Sequence, residues 1–354
     1  MQINVANPIL QTVLFAVIFG LVLLLSAKSS SKKESFGLEL TSELKGFAIL
    51  AIMFSHIGYF LSTDDHFLFP LSILAGVAVN IFLFLSGFGL TMSQTLKPLN
   101  VWQFYKKRLI NLFLPFLIVI TSFFILDFFL LHKTYSGLTV IQSYLGFFPK
   151  ANLYESLNAP LWYFTLILFY YLIFPVIYIK KYPYISALIL ILISWLVLHN
   201  VSLPVDIGVW SLYQIHFLAF PLGMLFAQVI QRNFKISFRY RYLLILILLT
   251  IFIYLSFNTG VGESKELEQL DSLVTLFLAI IIFMLKPVDF KLFYIFGVYS
   301  YEIYLLHWPL MYRYDLVYKF LPPFLATVVY LILFLVLGWV LQWFLTSAKK
   351  LLRI

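Results

Sequence analysis

The sequence predicts an all-α, polytopic membrane bundle of about eleven transmembrane helices. Three observations carry this. First, hydrophobic residues make up 62% of the 354 positions and charged residues only 11%. Soluble globular domains sit near roughly 45–50% apolar and about 25% charged. A water-soluble fold of this length lacks the interior to hide 39 Phe and 23 Tyr. Second, long apolar runs recur along the chain, close to the roughly 20 residues that a helix needs to cross the hydrocarbon core. Third, the basic residues gather in alternate loops.

Taken in order, the runs are Pro8–Ala27, Gly46–Leu61, Leu71–Leu90, Leu109–Leu131, Leu161–Ile179, Tyr184–Leu198, Leu212–Ile230, Tyr242–Phe257, Leu270–Leu285, Leu292–Met311 and Phe324–Leu345. The sixth, eighth and ninth are short. All are continuous rather than alternating, which argues against a β-barrel. The first reads as an uncleaved anchor, because no Lys or Arg precedes it and its apolar run is too long for a signal peptide. Lys28 to Thr41 is polar and Ser-rich and reads as a cytoplasmic linker. The chain therefore divides into an extra helix with its linker over 1–40 and a membrane domain over 41–354. His132 to Pro160 is the longest outer loop, and Asn258 to Gln269, with Glu263, Glu266 and Glu268, reads as a solvated one.

With the loop after the first run in the cytoplasm, 19 of the 24 basic residues fall on the inner side. They are Lys28, Lys32, Lys33 and Lys45, then Lys97, Lys106, Lys107 and Arg108. Lys180, Lys181, Arg232, Lys235, Arg239 and Arg241 follow, with Lys286, Lys291, Lys349, Lys350 and Arg353. Only Lys133, Lys150, Lys265, Arg313 and Lys319 fall outside. This bias places the N-terminus outside and the C-terminus in the cytoplasm. The net charge of +9 is then a topological signal and not a nucleic-acid footprint. With no cysteine, thiolate metal sites, disulfides and a Cys-borne thioester are excluded.

Ionisable groups at bilayer depth are costly, so each is a functional candidate. His56 and Glu302 each lie ten residues into their runs, about 15 Å deep. Asn80 lies near the middle of its own run. Lys45 and His56 are eleven residues apart, about three full turns, so they share a helix face some ~16 Å apart along the axis. A cation at the mouth and an imidazole in the middle suit an entry path, with the imidazole as general base or nucleophile. The bland alternatives are a carbonyl-bonded buried His and a snorkelling Lys. In the tenth run Ser300, Tyr304 and His307 form one polar stripe at i, i+4, i+7, either a substrate wall or interhelical glue. Lys106, Lys107 and Arg108 are a phosphate grip or a topogenic cluster. His66, His132 and His199 read as bystanders at the outer interface, His216 is ambiguous, and Asp127 sits near the outer edge. No His/Asp/Glu group has metal-ligand spacing, so no metal is expected.

Several ordered blocks carry a resemblance. Glu43 to His56 has a basic residue, ten others, then His. Phe82-Leu-Phe-Leu-Ser-Gly-Phe88 contains Ser86. Tyr105-Lys-Lys-Arg108 precedes Leu114-Pro115. Ala159-Pro-Leu-Trp-Tyr-Phe164 and Tyr170-Tyr-Leu-Ile-Phe-Pro175 follow, and Gly297 to Pro309 closes the series. Together they resemble the acyltransferase 3 family of integral membrane acyltransferases from about Leu40 to Leu345. The resemblance implies acetyl transfer from cytoplasmic acetyl-CoA to a hydroxyl of a surface glycan or lipid-linked sugar, in the cell membrane. It implies His56 as the catalytic residue, with Lys45 as its basic partner and the donor against Lys45, Lys106, Lys107 and Arg108. Glu302 is a candidate to orient the imidazole. Asn80, Ser86, Trp162, Tyr163, Ser300, Tyr304 and His307 are the candidate substrate-binding residues.

The chain departs from the family pattern in three ways. Lys45 stands where the family usually has Arg, which removes a bidentate fork. Leu112 stands where a further Arg is common. The helix at Pro8–Ala27 is an addition to a ten-helix core. Two other readings stay open: a transporter of a lipid-linked sugar or small acid, and a non-catalytic partner of a polysaccharide synthase. The chain shows no internal repeat of the kind transporters carry.

Overall fold

The computed structural model describes residues 2–30, 36–96, 100–152, 156–232, 240–258, 265–315 and 317–351. The fold is nearly all-α. The helices, in chain order, are α1 (Pro8–Leu25), α2 (Leu38–Ser55), α3 (Ala75–Leu96), α4 (Val101–Leu130) and α5 (Gly137–Tyr144). Then come α6 (Trp162–Ile177), α7 (Pro183–Asn200), α8 (Ile207–His216), α9 (Ala219–Gln231) and α10 (Arg241–Asn258). The last are α11 (Lys265–Leu285), α12 (Lys291–Val298), α13 (Ser300–Pro309) and α14 (Pro323–Leu351). The strands β1 (Ala27–Ser29) and β2 (Val288–Phe290) pair antiparallel.

Among the described residues, nine helices are long and apolar enough to cross a membrane. Two expected runs differ from that form. Tyr242–Phe257 lies within the shorter α10. Leu292–Met311 is not one helix: the chain breaks at Tyr299 between α12 and α13 and ends in a π turn over Leu310–Tyr314. The expected Asn258–Gln269 loop is shorter too. α11 already begins at Lys265, and Glu266 and Glu268 lie in its first turn, where carboxylates complement the helix dipole. Glu263 lies outside the described residues, as do Lys32, Lys33, Lys97, Lys235, Arg239 and Arg353.

Contacts between loops fix which ends of the helices lie together. Ile3 exchanges backbone hydrogen bonds with Leu61 and Thr63, at the start of α1 and the end of α2. At the other end of α1, Ala27 pairs with Phe290. Lys349, near the end of α14, bonds Asn111 on α4 at 2.6 Å. Gln11 accepts from the Phe324 backbone N–H, joining the starts of α1 and α14. Lys28, Lys349, Asn111 and hence Arg108 therefore share one end of the bundle.

Helix α2 runs through the middle, packed by α3, α11, α12 and α13, and most of its side chains are buried. Two glycine seams allow this. A Cβ on Gly46 would lie 1.7 Å from the Phe293 carbonyl oxygen, and one on Gly297 1.8 Å from that of Ser42. α2 and α12 thus touch backbone to backbone. Gly87 and Gly223 do the same between α3 and α9. Small-residue contact is the usual route to close packing in lipid, where there is no hydrophobic gain between helices.

Two ionic clasps close the bundle. On the basic end, buried Glu43 of α2 pairs with Lys286 at 2.6 Å and accepts from the Phe290 backbone N–H. Lys286 also donates to the Val288 carbonyl at 2.7 Å. On the opposite end, buried Asp127 accepts from Arg313, Tyr135 and Tyr314. Arg313 also donates to the Ser156 carbonyl at 2.7 Å. That clasp ties the 132–160 loop, which carries α5, to the end of the broken span.

Replacing Gly297 by Leu should lower the stability of the detergent-solubilised protein by about 1–3 kcal/mol or more, the cost of overpacking. Gly20→Leu, where nothing lies within 4 Å, should leave the thermal midpoint nearly unchanged. Paired thermal melts of the two variants check this.

Candidate functional site

A cavity of about 420 Å³, lined by described residues, runs into the bundle from the basic end. Its wall comes from residues far apart in sequence. Lys45, Ile52, His56 and Phe60 supply one side, at positions that fall on one face of α2 and its continuation. Val79, Phe82 and Ser86 of α3 supply another. Arg108, Asn111 and Leu112 come from α4, Trp162 and Tyr163 from α6, His216 from α8, and Ser300, Tyr301 and Tyr304 from α13.

His56 sits where α2 changes from an α-helix to a π turn over His56–Leu61. Such turns inside helices often mark functional positions. The His56 and His307 rings stack at 5.0 Å between centroids, 6° from parallel. His56 Nδ1 lies 2.8 Å from His307 Nε2. His307 Nδ1 faces the carbonyls of Ile303 and Tyr304, at 3.1 and 2.9 Å. Two carbonyls can only accept, so Nδ1 of His307 carries the proton. A neutral His307 then accepts at Nε2, and His56 donates to it through Nδ1–H. The Nε2 lone pair of His56 has no partner among the described residues. The ring is thus held in the tautomer that presents a bare nitrogen, as base or nucleophile.

Lys45 and Arg108 both line the cavity near its basic end and lie within electrostatic reach of one another. Neither forms an ion pair among the described residues. Two unpaired cations at one mouth make an anion site. Lys106 and Lys107 are exposed and do not line the cavity. Steps of about 100° per residue put Lys106 on the side of α4 away from Arg108, Asn111 and Leu112. Lys349, bonded to Asn111, adds a cation from α14 that sequence reasoning counted only as topogenic.

The other expected residues divide. Ser86, Trp162, Tyr163, Ser300 and Tyr304 line the cavity. Tyr304 OH donates to the Pro160 carbonyl at 2.7 Å, and Ser300 to that of Gly297 at 2.9 Å. Asn80 is one layer back, bonded to His216 and Ser272. Glu302 is buried on α13 but does not reach the cavity or His56. Five residues from His307, it points about 140° away on the helix, and Lys349 is within its electrostatic reach. The group seated on His56 is therefore His307. His216, ambiguous in the sequence, lines the cavity.

One further cluster lies on an exposed loop beyond α2. The Asp64, Asp65 and His66 ligand atoms lie within 4.8 Å of one another. Asp64 accepts from the His66 ring and backbone, both at 2.9 Å. That hydrogen bond raises the His66 imidazole above its ordinary value and lowers the Asp64 carboxyl. These bonds account for the cluster as a local turn.

Nitrogen-15 NMR of histidine-labelled protein should show His56 and His307 both protonated at Nδ1. In His307→Leu, the His56 signal should shift toward a mixture of tautomers.

No curated protein and no solved structure matches the chain. The model of the acyltransferase domain family Acyl_transf_3 matches residues 44–343, which include Lys45, His56, Arg108, His216 and His307. That match spans most of the bundle, and the chain belongs to the acyltransferase 3 family.

Proposed function

We propose that this multi-pass membrane acyltransferase moves an acetyl group from acetyl-CoA, bound at the basic end, to a hydroxyl of a glycan or lipid-linked sugar. The observation that carries the reading is a bare imidazole nitrogen inside a cavity whose mouth holds two unpaired cations. In the proposed membrane orientation, with the N-terminus outside, that mouth faces the cytoplasm, where acyl-CoA is found. The cell membrane is the proposed location.

Lys45 and Arg108 would hold the donor phosphates, as point charge and fork respectively. Lys349 compensates for Leu112, which offers only an apolar wall where many relatives have a cation. The pantetheine arm would lie along the apolar wall toward His56. His56 Nε2 then takes the proton of the attacking hydroxyl, whose oxygen bonds the thioester carbonyl carbon. The CoA thiolate leaves and is protonated. In the relay variant, Nε2 itself bonds the carbonyl carbon and later passes the acetyl group to the hydroxyl. In either case His307 stabilises the cation that forms on His56, as a fixed acceptor on Nδ1–H. His307 thus takes the orienting role that the sequence suggested for Glu302. Trp162 and Tyr163 offer aromatic faces to a sugar ring.

Proteoliposomes given radiolabelled acetyl-CoA and a membrane-glycan extract should acetylate glycan. His56→Ala should reduce transfer by about 10²–10⁴-fold, the scale of acid–base catalysis. Full activity in His56→Ala would refute the mechanism. Label on the protein would favour the relay. Lys349→Ala should raise the KM for acetyl-CoA by about threefold to fivefold, the worth of one exposed ion pair. Lys350→Ala, with its side chain exposed, should change that KM by less than about twofold.

A further inference from the structure

A second imidazole faces the same cavity, and the mechanism above does not use it. His216 is the last residue of α8, just before the chain breaks at Phe217 and Leu218 and resumes as α9. The break frees backbone carbonyls inside the bundle, and side chains cover them. Tyr170 OH donates to Phe217 O at 2.8 Å, and Gln269 Nε2 to Gln214 O at 2.8 Å. A helix interruption so fully compensated holds one side chain in place.

The tautomer of His216 follows from its partners. Ser272 Oγ donates to the Gln269 carbonyl at 3.0 Å, so it can only accept from Asn80. Asn80 Nδ2 therefore faces Ser272, at 2.9 Å, and Asn80 Oδ1 faces His216 Nδ1, at 2.8 Å. A carbonyl oxygen only accepts, so His216 carries its proton on Nδ1. The ring stacks on Trp162, 19° from parallel, which leaves its edge clear. Its Nε2 has no partner among the described residues and opens onto the cavity. An acceptor built so carefully and left unmet in a low-dielectric wall calls for a donor from the ligand.

We infer that His216 Nε2 accepts a hydrogen bond from a second hydroxyl of the acyl acceptor, one that is not acylated. His216 is then a positioning residue that selects polyhydroxylated acceptors over simple alcohols. The inference rests on the acyltransferase reading for the word acceptor. The subsite itself rests only on the geometry.

The test has two arms on purified protein in proteoliposomes. The first measures binding of the methyl glycosides of glucose, galactose and mannose, without donor, by tryptophan fluorescence. The second measures acetyl transfer from acetyl-CoA to the same glycosides and to n-propanol. In His216→Phe, which keeps an aromatic ring on Trp162, binding of the preferred glycoside should weaken about tenfold. The ratio of glycoside to propanol transfer should fall by a similar factor, through the glycoside KM. A general structural loss would raise the acetyl-CoA KM as well. Asn80→Leu frees the tautomer and should show the same loss, whereas Asn80→Asp, which keeps the acceptor for Nδ1–H, should retain most of the preference. Glycoside binding that weakens in the variants without any transfer by the wild type would support the subsite and refute the transferase reading. Transfer with an unchanged ratio in His216→Phe would overturn the subsite alone. Wild type that neither binds nor acylates any glycoside would overturn the subsite as well.

Discussion

Everything in this bundle depends on one constraint: in lipid, a backbone N–H or C=O that leaves a helix must find a partner within the protein. Three of the places where the chain breaks its regular helices supply residues to the cavity. α2 widens into a π turn at His56. The α8–α9 break follows His216, with its carbonyls covered by Tyr170 and Gln269. The α12–α13 break at Tyr299 precedes the stripe of Ser300 and Tyr304. Each interruption turns a segment that would otherwise present only side chains along one straight face. The polar groups collected there then converge from different helices on one space.

The second consequence of the constraint is that the polar groups are ordered in layers. His56 meets the cavity, His307 fixes His56, and the carbonyls of Ile303 and Tyr304 fix His307. His216 meets the cavity, Asn80 fixes His216, Ser272 fixes Asn80, and the Gln269 carbonyl fixes Ser272. In each series the outermost partner is backbone, which cannot rotate or change protonation. The direction of every hydrogen bond is then inherited from a rigid element. Buried networks of this kind are stable when all members are satisfied, and in these two series the bare nitrogens of His56 and His216 belong to residues that line the cavity.

Much of this was legible in the sequence. Apolar runs gave most spans, because the bilayer demands length and composition more than pattern. The Lys45–His56 register was legible because both residues lie on one uninterrupted helix, where spacing fixes the face. What failed to appear was whatever depends on contacts between distant segments. Tyr299 is itself neither Pro nor Gly, so a continuous span was expected. Three consecutive cations gave no hint that Arg108 alone would turn inward. Glu302 and His307 were both visible, but only the fold, which joins residues 251 apart, shows which one meets His56. Lys349 looked like any basic residue at a helix end. His216 had one local sign, its place near the outer end of its run, and that sign is too weak to assign a role.

The β1–β2 pairing carries a consequence for biosynthesis. Residues 27–29 find their partners only at 288–290, and α1 packs mainly on α14, far later in the sequence. During synthesis α1 is therefore made long before the surfaces it packs against exist. Chains usually acquire structure from the N-terminus onward as they emerge. Here α1 waits for α14, so the packing of the one depends on the synthesis of the other.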